Sequence, residues 1–361
     1  MLKNLEIQDF RGFHRFRVPR LGRVNLLVGM NNSGKTSILE AVDILTSQEG
    51  FAPVWLALRR RDEVFPSHHA GPYPKEVDVR HLFRGHALGL GSRFALSARA
   101  GRGEWSMTAT VVDRESEPST LIGSTPWDLK LSLVRGGVAG QESRLPLDPD
   151  GRPRASSSLY ELVDRRPLGR PGFINATSLT AADAAALFDL IVLTPQEDMV
   201  LDAMRLIDPG IERVAVAAAE MNPRFERGGS KGGILVRLKG FDDPVPIGGM
   251  GDGVWRLFAL ALAAVRSSGS VLLVDEIDTG LHYTVLREMW KFLDRCAKTY
   301  NVQVVATTHS WDCCQALAAI CGEDVSEDDV VLIRIEKDRE EAVVYSEQAI
   351  VAAAERGIEV R

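Results

Sequence analysis

Cysteine is scarce in this sequence: Cys296, Cys313, Cys314 and Cys321 are the only four in 361 residues, and all come late. No CxxC pair or histidine-rich segment accompanies them, which argues against a zinc site and leaves reduced, structural thiols as the expectation. Long apolar runs are missing as well. No stretch reaches the roughly 18 consecutive apolar residues of a membrane span, and the opening MLKNLEIQDFRG lacks the basic-then-apolar layout of a signal peptide. A cytoplasmic protein with no membrane partner is expected. An excess of basic residues is absent too: 43 Lys and Arg stand against 49 Asp and Glu, a net charge of -6. That balance excludes a wholly basic nucleic-acid binder and leaves only local patches, such as Arg59, Arg60 and Arg61, to consider. A charge run of that kind is usually a solvated face. Neither an internal repeat nor a low-complexity tail is found.

What the sequence does contain is an α/β rhythm at both ends. LKNLEIQDF and RFRVP read as short strands, RVNLLVG as a buried strand and SILEAVDILTS as a helix. Residues 49–92 read as irregular, with prolines at 66, 72 and 74. SRFALSARA, EWSMTATVV and DLKLSLVRG then alternate with the period of antiparallel strands. From Leu159 the pattern turns helical through YELVDRR, AADAAALFDLIVL, EDMVLDAMRLI and PGIERVAVAAAEM, the last starting at Pro209. A strand ILVRLKG follows, and the remainder returns to alternating helices and strands. The organisation expected is an α/β core from residues 1–48 and 240–361, a β-rich subdomain over 49–150, and a helical insertion with a return strand over 151–239.

Four motifs carry chemistry. GMNNSGKT, Gly29 to Thr36, fits GxxxxGK[ST] and lies between an apolar strand and a helix, as a phosphate-binding loop requires. Its backbone N–H groups, from Gly29, Asn31, Asn32, Ser33 and Gly34 on to Ser37, would wrap phosphate oxygens; Lys35 would reach the β- and γ-phosphates and Thr36 would hold Mg²⁺. VLLVDEIDTGLH supplies a buried parallel strand ending in Asp275 and Glu276. There an aspartate helps hold the metal, and an adjacent glutamate polarises the attacking water in phosphoryl transfer. VVATTHS ends a third strand in His309, whose imidazole can hydrogen-bond a γ-phosphate. Finally, IGGMGDGVWRLFALALAAV places the glycine turn Gly249, Met250, Gly251, Asp252, Gly253 at the mouth of an apolar helix. Its free N–H groups form an anion site, and with the first loop already on its own nucleotide, this turn is expected to face a γ-phosphate bound by another copy.

The order of these elements resembles the ABC-type ATPase heads of the RecF, structural-maintenance-of-chromosomes and OLD (overcoming lysogenisation defect) group. FRGFHRFRVPRLGRVNLLVGMNNSGKTSILEAVDIL looks like the opening of OLD-type AAA ATPases, and IGGMGDGVWRLFALALA, LLVDEIDTGLHYTVLREMW and TTHS like their second half. The resemblance covers roughly residues 1–48 and 240–361. It implies a P-loop NTPase with an ABC-type head, an antiparallel β subdomain and a helical insertion. It also implies ATP hydrolysis with Mg²⁺, in a homodimer or higher oligomer that closes over two nucleotides. Asp278 to His282 would run along the dimer interface, and Arg11 in DFRGF would lie near the nucleotide.

The departures are specific. The signature turn lacks the usual small polar residue ahead of its glycines, leaving Gly249, Met250 or Gly251 there according to register. The glutamine that links the lobes has three candidate places: Gln141, Gln196 or, with asparagine instead, Asn175. OLD nucleases append a TOPRIM domain, and the stretch after Ser310 is short against the roughly 100 residues of a typical domain. The acidic run Glu323 to Asp329 reads as a solvated loop, and His68 and His69 as loop residues. The leading expectation is an ATPase that regulates a separately encoded effector, such as a nuclease, in phage defence or DNA maintenance. The alternatives are a RecF-like ATP-dependent DNA clamp and a scaffold with little turnover.

Overall fold

The computed structural model describes every residue except 48–49, 66–75, 102, 115–126, 141, 149, 154–172, 175–178, 218–232, 322–328 and 361. The fold is mixed α/β, and its centre is a mostly parallel sheet in the order β16-β15-β3-β14-β13-β9. Its strands are β3 (Val24–Val28), β9 (Phe173–Ile174), β13 (Val271–Val274), β14 (Gln303–Thr307), β15 (Val330–Arg334) and the antiparallel edge β16 (Val343–Tyr345). β3, β13 and β14 are buried at every residue, as expected for strands covered on both faces.

Alternation along these strands feeds two cores. Val24, Leu26, Val28, Leu272, Val274, Val304 and Ala306 point into one, with the helices Asp252–Arg266, Tyr283–Thr299 and Trp311–Cys321. Leu27, Leu273, Val305, Val331 and Ile333 point into the other, with helices α1 (Lys35–Thr46) and α2 (Ala52–Arg60). The second core is closed by an antiparallel sheet of β1 (Leu5–Phe10), β2 (Phe13–Val18), β4 (Arg93–Ala100), β5 (Gly103–Asp113), β6 (Trp127–Arg135), β7 (Val138–Ala139) and β8 (Ser143–Leu147). β1 pairs directly with β4, so this sheet draws on both sides of residue 48. Gln303 ties the layers: its amide donates to the carbonyls of Leu2 and Gly22 and accepts from the Leu2 N–H.

Three elements differ from the sequence reading. PGIERV, expected to start a helix, forms β10 (Ile211–Val216), paired antiparallel with β11 (Ile234–Leu238), which in turn pairs with β12 (Val245–Pro246). Its Ile and Val residues have high strand propensity, and a ladder partner was available. Residues 49–92 are not wholly irregular: α2 buries Val54, Trp55, Ala57 and Leu58, with Pro53 in its first turn, where no N–H is needed. AADAAALFDLIVL is helical only over Ala181–Asp189, and a turn with Leu193 at φ 61° leads to the helix Pro195–Arg205. Gln196 lies in that first turn. YELVDRR, Gln141, Asn175, His68 and His69 fall outside the described residues, as does the acidic run except Asp329, which takes Arg23 at 3.2 Å.

All four cysteines are free and buried, and burial pushes the Cys296 thiol up to about 12. Among the described residues no helix is long and apolar enough to cross a membrane. None of their His, Cys, Asp and Glu side chains form a group of three or more suited to a metal.

Candidate functional site

Three strand ends of the parallel sheet build the site. β3 ends in Gly29, whose φ of +142° and closeness to Ile335 O, 2.5 Å from an added Cβ, admit only glycine. The loop runs through exposed Asn31 and Asn32 and buried Ser33 to Gly34, at φ +100° and packed on the Phe13 ring. α1 then starts at Lys35 with no side-chain cap, so its first N–H groups stay available to an anion. Lys35 Nζ donates to Gly29 O at 2.8 Å and Met30 O at 2.9 Å, and lies 3.5 Å from His309 Nδ1. Burial lowers the Lys35 pKa, and the Asp275 and Glu276 carboxylates work against that shift.

β13 delivers the acidic pair beside this loop. Thr36 Oγ1 donates to Asp275 Oδ2 at 2.9 Å, and Thr307 Oγ1, at the end of β14, donates to Asp275 Oδ1 at 2.6 Å. Glu276 follows in the left-handed region at φ 50°, a conformation that persists in a non-glycine residue only when its surroundings hold it. Its N–H donates to Thr307 Oγ1 at 2.8 Å, while its exposed carboxylate accepts from Thr279 Oγ1 at 3.2 Å. Thr308 Oγ1 donates to Asp278 Oδ1 at 2.5 Å. Exposed His309 closes the group, its pKa lowered by partial burial and by the Lys35 charge. Lys35, Thr36, Asp275, Glu276 and His309 are thus brought together from three strand ends. The two threonines before His309 escaped the sequence reading, although TTHS places both hydroxyls next to the candidate histidine.

Arg11 is 5% exposed in the β1–β2 turn, at φ 53°. Its Nη1 donates to both Glu63 oxygens at 2.8 and 2.9 Å, and its Nε lies 2.5 Å from Glu40 Oε2. The guanidinium is committed to two carboxylates, while the residue edges a cleft of about 300 Å³ shared with Phe13, Asn32, Gly34, His81 and Lys337. Glu40, on α1, is fully buried; burial pushes its carboxyl up, and Arg11 and Arg61 pull it back. The basic run 59–61 therefore differs from a solvated face at two of its residues. Arg61 donates to Glu40 and to Ser37 Oγ, and Arg60 donates to Asp43 at 2.8 Å while stacking on Phe173.

The glycine turn forms a short 3₁₀ segment, Ile247–Met250, followed by Gly251 at φ +90° and the helix Asp252–Arg266. Gly249, Gly251 and Asp252 are exposed, Met250 and Gly253 are half-buried, and no side chain caps the helix start. Arg256, a charge set among the apolar residues of this helix, is buried and donates to two backbone carbonyls, Asp275 O and Glu276 O.

Comparison with known proteins fits this arrangement. Residues 1–78 match the family described as "AAA ATPase domain", and residues 200–311 match "AAA domain, putative AbiEii toxin, Type IV TA system". An ATP/GTP phosphatase of Helicobacter pylori is 19% identical over 345 residues, spanning 90% of this chain and 89% of that one. The DNA replication and repair protein RecF of Clostridioides difficile is 40% identical over 50 residues, 14% of each chain. The relatives matched at 40–41% identity are covered over about a quarter of their length or less. Among solved structures, an SMC head bound to the C-winged helix domain of ScpA superposes with a TM-score of 0.49 at 15% identity, over 96% of this chain and 98% of that one.

Proposed function

We propose that the protein is an ATPase whose copies pair around two Mg-ATP molecules, and that this closure regulates a separately encoded effector. The observation that carries the reading is the 2.9 Å bond from Thr36 Oγ1 to Asp275 Oδ2, which joins the glycine loop to the acidic strand end beside Glu276. The donors at that point, a hydroxyl and a carboxylate, are the hard oxygens that Mg²⁺ takes in nucleotide sites. Thr36 and Asp275 would hold the ion, which when bound would neutralise charge on the phosphates. Gly29 to Ser37 would cradle the phosphates with main-chain N–H groups, and the nucleoside would lie toward the cleft edged by Arg11. Lys35 would exchange its two carbonyl partners for phosphate oxygens. Glu276 would orient and deprotonate the attacking water, and His309, neutral at pH 7, would contact the γ-phosphate. Gly249 to Gly253, exposed and uncapped, would close over the γ-phosphate held by the partner copy.

The phage-defence setting is what the OLD resemblance implies. A nuclease-type effector is the partner class that the OLD resemblance implies. The DNA-clamp reading keeps the RecF similarity but loses one argument, since Arg60 and Arg61 are turned onto carboxylates of α1. Glu276→Gln decides the central point: it should bind ATP, hydrolyse it at least about 100-fold more slowly, and run as a dimer in ATP on sizing chromatography. A variant that binds ATP and stays monomeric refutes the paired arrangement.

A further inference from the structure

Arg256 lies in the first turns of the helix Asp252–Arg266, three residues after Gly253, so both face the same side of that helix. That side abuts the segment that follows β13 at two places. An added Cβ on Gly253 would lie 3.4 Å from Gly280 O, and Arg256 Nη2 donates to Asp275 O at 3.2 Å and Glu276 O at 2.9 Å. The Glu276 residue is therefore clamped at both of its backbone polar groups, its N–H by Thr307 Oγ1 and its C=O by Arg256 together with the Thr279 N–H at 3.1 Å. These clamps act on a residue whose φ of 50° lies in the left-handed region that an L-amino acid keeps only when its surroundings hold it. Burial at 6% exposure lowers the Arg256 pKa from its ordinary value, and the surrounding carboxylates of Asp278, Glu276 and Asp275 work against that shift.

We infer that Arg256 is a positioning residue: it holds the Glu276 backbone in its left-handed conformation and ties that pose to the glycine turn at the start of its own helix. The second half rests on the paired arrangement proposed above. In such a pair, the turn of one copy meets the γ-phosphate bound by the other, and Arg256 lies about one helical turn, roughly 5 Å, behind it. A phosphate at the turn is then felt at the carboxylate of the same chain, which serves the second nucleotide. The two sites are coupled, and hydrolysis rises cooperatively with ATP.

The test uses Arg256→Met and Arg256→Lys in the full chain, with circular dichroism and melting to establish folding. Arg256→Met should bind ATP within about two-fold of wild type but lose at least about tenfold in kcat, a transition-state effect and not a binding one. Its Hill coefficient should fall from about 2 to 1. Arg256→Lys, whose ammonium can reach one of the two carbonyls, should recover part of both. An unchanged kcat in a folded Arg256→Met chain overturns the clamp and leaves the pairing untouched. A lowered kcat in a chain whose Glu276→Gln form remains monomeric in ATP keeps the clamp and overturns the coupling. A loss confined to ATP affinity overturns both halves of the inference.

Discussion

Gly34 offers the sharpest quantitative test of how the phosphate loop is held. Its φ of +100° lies in the left-handed region, so alanine there incurs about 1–2 kcal/mol of backbone strain. The added Cβ would also stand 2.3 Å from Phe13 Cζ and 2.8 Å from Cε2, closer than any real contact, so the ring or the loop must move. Overpacking of that kind costs about 1–3 kcal/mol. Gly34→Ala is therefore expected to destabilise the protein by about 2–5 kcal/mol, the sum of those two ranges. The parts separate in a double-mutant cycle with Phe13→Ala, because removing the ring relieves the clash and leaves the strain. The double variant should be more stable than the summed single effects by about 1–3 kcal/mol, the clash contribution alone. Urea unfolding followed by tryptophan fluorescence and by circular dichroism measures each corner, with coincident transitions as the condition for using the midpoints. Additive single effects, within about 0.5 kcal/mol, would refute the claim that the antiparallel subdomain braces the loop through Phe13.

Other expectations follow from the charged groups. Glu40→Gln leaves Arg11 and Arg61 facing a neutral amide in the interior and should cost about 3–5 kcal/mol, read by denaturant unfolding; a cost under about 1 kcal/mol would mean that the Glu40 carboxyl is already neutral. His309 has a pKa below its ordinary 6.5, so the unfolded chain takes up a proton at a pH where the folded chain resists it. Its contribution to stability is complete above pH 6.5 and is lost as pH falls from 6.5 toward the lowered folded value. His309→Asn should flatten that part of the melting-temperature profile, and an unchanged slope would remove His309 as its source. Arg60→Ala should lower the melting temperature through lost contacts with Asp43 and Phe173 while leaving retention on DNA at low salt unchanged; weaker retention would return the basic run to a nucleic-acid role.

The legible parts of this protein were those where local sequence and tertiary context demand the same thing. Gly29 and Gly34 satisfy backbone geometry that no other residue tolerates, and VLLV is buried on both faces, so loop and strand could be read without knowing their neighbours. What escaped depended on partners distant in sequence. Ile211, Val214 and Val216 fit a helical stripe as well as a strand, and only pairing with Ile234–Leu238 decides between them. The arginines at 60 and 61 look solvated until Asp43 and Glu40 are brought under them by the packing of α2 on α1. Arg256 carried no such signal, because its partners are two main-chain carbonyls, which have no side-chain signature.

Phe173 and Ile174 make a very short strand, and each of the two serves a different layer: Phe173 lies under Arg60 in one core, and Ile174 lies in the other. The carbonyl of Ile174 also accepts the Asp275 N–H at 2.8 Å. Because neighbouring side chains on a strand point to opposite faces, a slip of one residue here would exchange the aromatic and the aliphatic between cores and cost the acidic strand end its main-chain partner. Two residues thus act as an alignment key, setting where the insertion threads back into the sheet against the carboxylates that the site depends on.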